Sequence, residues 1–433
     1  MEDDGYVLVP REDETPIPTL AQYQSPPEYL SEISTTIDAL ADPLWPLNTF
    51  IHANPELAYQ EHKAHDALTS FLRTQPGWAV TPSAHAIPTA WIATFSASPK
   101  PGPTVSFNIE MDALPNLGHA CGHNLIATAS LAAGLATATV LKTHNLPGRV
   151  TLLGTPGEEG YRGGKILLLE RGAYDNVDIS LISHPGILHN SPMVRTPAFC
   201  RLKAAYHGHA AHAAKNPWEG INALDAVIVA YNAIAALRQQ TMPDDIISVS
   251  IDGGGETTNI IHEFASCVVV LRARTASRLD QLIERVKGCL KAGAEATGAR
   301  VGVDLTMGYQ DHVPNALLAG AYRRYWTALP DVPEPKLPRD GETTFVMSST
   351  DQGNLSHKLP SVNASFAIPP GPAGGQPHSA DFEVAAGTRE AFDAALRVGK
   401  ALAGTAVDVV TREGFLGEVR RRWREDLEGA MGG

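Results

Sequence analysis

Cysteine is scarce: the 433 residues hold only Cys121, Cys200, Cys267 and Cys289. Four in a chain of this length make no disulfide framework, which excludes a small stapled fold and leaves reduced thiols as the expectation. Positive charge is also short. Lys and Arg number 34 against 47 Asp and Glu, for a formal net charge of −13. No long basic stripe offsets that balance, so a nucleic-acid partner is not expected. Arg420-Arg421-Arg422 is followed by Glu425-Asp426 and Glu428 and reads as a solvated helix. No apolar run reads as a bilayer span. Met1-Glu2-Asp3-Asp4 lacks the charged-then-apolar pattern of a signal peptide. A cytosolic protein with no membrane partner is the simplest reading. No internal repeat is evident.

What is present is a large, ordinary globular composition. Apolar residues make up 43 % and charged residues 19 %, enough for a sizeable core and more than one domain. Residues 1–25 are acidic and Pro-rich and predict an irregular arm. A helix is expected from Tyr29 to His52, strand-like alternation from Gly77 to Phe95, and a buried strand from Pro103 to Asp112. An Ala-rich helix follows from Leu125 to His144, then a strand from Arg149 to Thr155, a helix from Gly164 to Arg171 and a strand from Val177 to Ser183. That alternation predicts an α/β unit with a mainly parallel sheet covered on both faces.

The pattern changes near Pro192. Strands at Phe199–Tyr206, Ile246–Ile251, Cys267–Arg274 and Val301–Met307 alternate with helices at Asn222–Gln239 and Leu279–Thr297. This strand–helix–strand–strand–helix–strand order predicts a ferredoxin-like α+β sandwich. The expected division is an arm at 1–25, a discontinuous metal-binding domain at 26–195 and 313–433, and an inserted lid or dimerisation domain at 196–312.

Gly118-His119-Ala120-Cys121-Gly122-His123-Asn124 carries the most chemistry. An isolated Cys-x-His is ordinarily a buried Cys beside a turn His, but thiolate and imidazole are also donors for ions such as zinc. Other donors follow in similar settings. Glu158-Glu159 stand just past one strand, His184-Pro185-Gly186 past another, and His378 follows the Pro/Gly loop Pro369 to Gly375. An open α/β sheet places its site beyond the carboxyl ends of its strands.

These residues, with several further motifs in the same order, resemble peptidase family M20, the aminoacylase and carboxypeptidase family of two-metal hydrolases. The similarity runs from about His52 to Ala386. It includes His52-Ala53-Asn54-Pro55-Glu56-Leu57 with Glu61, Glu110-Met111-Asp112-Ala113-Leu114-Pro115, Gly157-Glu158-Glu159-Gly160, Ala211-His212-Ala213-Ala214, Thr258-Asn259-Ile260-Ile261 and Ser349-Thr350-Asp351. The nearest subgroup is the amidohydrolases with Cys-x-His ligands, such as p-aminobenzoyl-glutamate hydrolases and β-alanyl-lysine dipeptidase-like proteins. Asn116 and Ile109-Glu110-Met111 depart from the commonest wording of the strand-end motif, but neither removes a ligand.

The resemblance implies two divalent metal ions per chain, zinc first and manganese or cobalt as substitutes. It implies Cys121, His123, Glu159, His184 and His378 as ligands and Glu158 as general base. Asp112 would orient a ligand histidine or act as a turn cap, and His52 has a structural role. His212, rather than its neighbour His209, would stabilise the oxyanion, often across a homodimer interface formed by the inserted domain. Asn259 and Arg272 are candidates to hold the substrate's carboxylate or backbone, Arg through its bidentate fork; Arg272 in a strand-edge ion pair is the alternative. The implied reaction is amide hydrolysis of an N-acyl amino acid or small dipeptide. Amide synthesis or acyl transfer at the same site, and a non-catalytic binding protein on the same scaffold, are the rival readings.

Overall fold

The computed structural model describes residues 27–255 and 257–431, so the arm expected over 1–25 lies outside them. In chain order the first elements are α1 (Leu30–Ala53), α2 (His62–Arg73), β1 (Ala79–Pro82), β2 (Trp91–Ser96), β3 (Thr104–Glu110), α3 (His123–Thr143), β4 (Arg149–Thr155), α4 (Gly164–Glu170) and β5 (Ile179–Gly186). Next come β6 (Val194–Arg195), β7 (Ala198–His207), α5 (Ala223–Leu237), β8 (Ile246–Gly253), β9 (Phe264–Ala273), α6 (Ala276–Thr297) and β10 (Arg300–Tyr309). The chain ends with α7 (Ala316–Ala328), β11 (Thr344–Phe345), α8 (Gln352–Ser356), β12 (Ser361–Ala367), α9 (Ala380–Ala386), α10 (Arg389–Thr411) and α11 (Phe415–Met431).

The larger sheet has the order β1-β2-β4-β3-β5-β12. Neighbours β4, β3, β5 and β12 run parallel, while β2 and β1 add antiparallel strands at one edge. Parallel strands are covered on both faces, so they read as continuous apolar runs. All of β3 after Thr104 is buried. Helix α3 packs against this sheet and against α1 and α10. By length and composition α3 could cross a bilayer, which corrects the expectation that no run is long enough. Yet 94 % of its most apolar stretch is buried by the rest of the chain. An Ala-rich helix packed all round is apolar all round.

The smaller sheet, β10-β7-β9-β8, is antiparallel throughout. In sequence its strands come as first, second, third and fourth, and in space as fourth, first, third, second: the ferredoxin-like arrangement. The burial of β7 alternates along most of the strand, the mark of a sheet with one covered face. Helices α5 and α6 cover it and form a second hydrophobic cluster with it. Both have side-chain caps: Asn222 accepts from Leu224 N and Thr275 from Arg278 N.

One boundary differs from the sequence reading in a way that matters. β5 continues through His184 and Pro185 to Gly186, because β12 pairs with it that far. β3 pairs with β5 only as far as Leu181. The end of β5 is therefore a sheet edge on that side, where a proline without an N–H is tolerated. His184 is thus fixed by a strand rather than carried on a loop.

Phe107, at the centre of the larger sheet, is fully buried. Phe107→Ala is expected to cost about 3–5 kcal/mol of stability, read as a lowered denaturant midpoint; a loss below about 1 kcal/mol would contradict a close-packed core at this position.

Candidate active site

The carboxyl ends of β3, β4, β5 and β12 gather the chemistry-bearing residues. After β3 the chain passes Asp112 and turns into α3 through Cys121-Gly122-His123. Gly122 has φ +78°, and a Cβ there would sit 2.5 Å from Pro185 Cγ of β5. Only glycine fits that turn, and it sets Cys121 against His184: Sγ and Nε2 are 3.3 Å apart. His184 Nδ1 donates to the Pro185 carbonyl at 2.8 Å, which leaves the Nε2 lone pair facing the thiol.

His123 is fully buried. Its Nδ1 donates to Asp112 Oδ1 at 3.1 Å, and the other carboxylate oxygen accepts from Glu159 N at 2.9 Å. Asp112 therefore orients the histidine and pins the next loop with one side chain. His123 Nε2 has no hydrogen-bond partner and stands 3.3 Å from Glu110 Oε2, which also has none. Past β12, His378 Nε2 meets Glu159 Oε1 at 2.8 Å. Donor atoms of Cys121, His123 and His184, of Cys121, Glu159 and His378, and of His123, Glu158 and Glu159 lie within 4.8 Å of one another in each group. Thiol, imidazole and carboxylate groups thus crowd one small volume. Thiolate, imidazole and carboxylate donors in that arrangement fit a divalent cation.

Behind this cluster lies a buried charge network. Lys165, at the start of α4, donates Nζ to Glu110 Oε1 at 2.6 Å and to Asp351 Oδ1, all with buried side chains. Glu110, Glu158 and Asp351 bring carboxylate oxygens within 4.8 Å of one another. Burial, then Glu110, Glu159 and Asp351, push the Glu158 carboxyl well up, opposed by Lys165. Burial alone would push His123 down, but Cys121, Asp112 and Glu110 raise it well above the ordinary imidazole value. Both directions describe a site with a surplus of negative charge. The Tyr309 hydroxyl donates to the Glu158 carbonyl at 2.8 Å and helps fix that residue's backbone.

A cavity of about 530 Å³ opens over the cluster, lined by Cys121, Glu158, Glu159, His184 and His378 together with Leu188, Phe345, Met347 and Asn363. That volume suits a small ligand. The remaining sequence candidates lie elsewhere. His212 and Asn259 are adjacent on the inserted sandwich: Ala213 N donates to the Asn259 carbonyl at 3.0 Å, and His212 bridges Ile260. Neither lines the cavity. Arg272 reaches it indirectly, donating to Ser349 Oγ at 2.7 Å while its guanidinium lies 4.7 Å from the Phe199 ring. Among the described residues no carboxylate pairs with it, so the strand-edge ion pair is not found. His52 donates Nε2 to the Glu383 carbonyl at 2.9 Å, a structural contact. All the cysteines are free.

Sequence reading assigned no role to Lys165, Glu110, Asp351, Tyr309 or Glu61. A lysine at a helix start ordinarily faces solvent, and its burial has no local signature. Glu110, Asp351 and Glu61 stand inside the motifs named above, the one signal available.

Comparison with known proteins bears on the family and the fold. Residues 197–298 match the M20 peptidase dimerisation domain. The Xaa-Arg dipeptidase of Mus musculus is 37 % identical over 402 residues, covering 90 % of this chain and 91 % of that protein. The Homo sapiens enzyme of the same name is 36 % identical over 409 residues, with the same coverage. One component of the p-aminobenzoyl-glutamate hydrolase of Escherichia coli is 29 % identical over 65 % of this chain and 60 % of its own length. Among solved structures, a dinuclear metal binding peptidase of the M20 family from Bacillus subtilis superposes with a TM-score of 0.62 at 17 % identity, over 86 % of this chain and all of its own. An aminobenzoyl-glutamate utilization protein from Klebsiella pneumoniae gives 0.63 at 18 %, over 88 % and 98 %. The fold, the order of motifs and identity above one third along nine-tenths of the chain lead to one conclusion: this chain belongs to the M20 peptidase family.

Proposed function

We propose that this chain is a metal-dependent amidohydrolase that splits a dipeptide or an N-acyl amino acid. Membership of a peptidase family makes it a hydrolase of C–N bonds. The observation that carries the reading is the unpartnered Nε2 of buried His123, standing among thiol, imidazole and carboxylate donors beside an open cavity. Cys121, His123, Glu159, His184 and His378 are assigned as ligands of divalent ions, two per chain. The mixed sulfur, nitrogen and oxygen donors favour zinc over manganese or cobalt. A cytosolic, reducing setting suits a cysteine ligand. The relatives named Xaa-Arg dipeptidase make dipeptides ending in arginine the first substrates to try.

A bound divalent ion would lower the pKa of a water from about 15.7 towards about 7 and polarise the scissile carbonyl. Glu158 takes the proton of the attacking water and returns it to the leaving amine. It is adjacent to Glu159 in sequence, so Glu159 would hold the ion while Glu158 stays free to act as base. Asp112 keeps His123 in the tautomer whose Nε2 lone pair points into the site. The developing oxyanion needs a donor, and among the described residues none of the inserted sandwich lines the cavity beyond its first connection at Thr196. His212 of the partner subunit fits that role. In each chain the backbone N–H groups of Ala214 and Lys215 point at His212 Nδ1, each at 3.2 Å. The proton must then sit on Nε2, the free donor. Asn259 of the partner subunit would arrive with it and contact the substrate backbone. Arg272 of the same chain, tied to Ser349 at the cavity wall, would meet the carboxylate.

Glu158→Gln keeps the shape of the side chain but cannot take the proton. Turnover of alanyl-arginine and of an N-acyl amino acid panel should fall by at least about a hundredfold at unchanged metal content. Near-normal turnover would remove Glu158 from the base role. Cys121 should resist alkylation in the metal-loaded protein and react faster after chelation; equal rates in both states would contradict ligation by its sulfur. Bound metal should be lost as pH falls, because each ligand must give up its proton to bind. A homodimer sharing its sites should recover activity when inactive Glu158→Gln and inactive His212→Ala subunits are mixed and exchange. No recovery despite exchange would place the oxyanion donor within one chain, or at His209.

A further inference from the structure

The early signature around Glu56 and Glu61 belongs to none of the roles assigned above, yet it touches both loops that carry them. Glu61 is fully buried. Its Oε1 accepts two backbone N–H groups at 2.8 Å, one from Tyr59 and one from Gly157. Gly157 is the residue immediately before Glu158 and has φ +68°, a conformation that needs glycine. The Tyr59 ring covers it so closely that a Cβ on Gly157 would lie 2.6 Å from the ring. Tyr59 itself is held at φ +64°, a left-handed conformation that is unfavourable for a non-glycine residue. The Glu61 carboxylate offsets that cost by accepting the Tyr59 N–H. On the other side, the Glu56 carbonyl accepts from Ala113 N at 2.8 Å, next to Asp112. The Glu56 carboxylate closes the start of α2 through Lys63 N and Ala64 N, at 2.8 and 3.1 Å. The segment 54–61 is thus a brace across the turns after β3 and β4.

We infer that Glu61 is a positioning residue: its Oε1 locks the Gly157 turn and so fixes where Glu158 and Glu159 point. This rests on the roles given above to Glu158 and Glu159. Nothing in the Oε1 contacts requires the charge of Glu61, because the two N–H groups it accepts belong to neutral backbone amides. Burial, and then the charge of Asp112, push its carboxyl up to about 7, so an uncharged acceptor is compatible with this position. What the geometry requires is reach. A displacement of about 1 Å at a catalytic group can cost about a hundredfold in rate, and partners that orient metal ligands are worth about 10–100-fold in metal affinity.

Reach and charge are separated by two substitutions in the full-length protein. Glu61→Gln keeps the acceptor where it is and removes the charge; Glu61→Asp keeps the charge and withdraws the acceptor by one methylene. Cobalt(II) titration with its visible absorption reads the metal site directly, and alanyl-arginine turnover reads the base. The expectation is that Glu61→Gln binds cobalt within about threefold of the parent, with the same spectrum and a similar kcat. Glu61→Asp should bind cobalt about tenfold more weakly, with an altered spectrum. Its kcat should fall about 10–100-fold while KM stays put. Parent-like cobalt binding and kcat in Glu61→Asp would overturn the inference. So would a Glu61→Gln protein that unfolds at the parent's temperature but is impaired, and that second result holds even if Glu61→Asp fails to fold. The cobalt arm reads Glu159, so it stands apart from Glu158→Gln: an active Glu158→Gln would sink the base assignment while leaving the cobalt result to decide the brace.

Discussion

The structure turns on one electrostatic constraint: too much negative charge converges on the dry end of one sheet. Glu110, Asp112, Glu158 and Asp351 are buried there, and Lys165 is the buried ammonium among them. An uncompensated buried carboxylate is expensive. The chain spreads the cost with hydrogen bonds: Lys165 to Glu110 and Asp351, His123 and Glu159 N to Asp112. What is left over is the orphaned Nε2 of His123 facing the orphaned Oε2 of Glu110, and a raised Glu158. Divalent cations are the simplest groups that relieve such a surplus.

The sheet supplies the precision that this charge density demands. Strand ends are rigid because their backbones are paired, so a group carried on one is held more tightly than a group on a loop. His184 shows this best, since it lies inside β5 and is paired through β12. The turns that cannot be paired are held in other ways: Gly122 is fitted against Pro185, and Gly157 is tied by Glu61 and covered by Tyr59. Loops at a site are ordinarily the more mobile part of a fold. Here several of them are clamped by side chains far away in sequence.

The second sheet has its own core and stands apart from this chemistry. Its contribution to the cavity passes through Arg272, which reaches across to Ser349. The His212–Asn259 corner is preorganised, with the His212 tautomer fixed by its own backbone, yet it lies outside the cavity of its chain. In the function proposed above, a second chain would bring this donor to the site.

Much of the molecule is legible in local pattern. Continuous apolar runs mark the parallel strands, alternation marks most of β7, and the order of elements gives an α/β unit followed by a strand–helix–strand–strand–helix–strand unit. The donors are legible too, because Cys121 and His123, or Glu158 and Glu159, are neighbours along the chain and announce themselves as motifs. Which donors meet is not. Cys121 and His184 are 63 residues apart and Lys165 and Asp351 are 186 apart; those encounters are created by strand order, which no local pattern encodes. The extension of β5 through Pro185, the burial of Lys165 and the brace at Glu61 belong to the same class. Each depends on a backbone or a carboxylate delivered from elsewhere in the chain. Burial and pairing are properties of that delivery rather than of the residue itself, so they come into being only when the chain has folded.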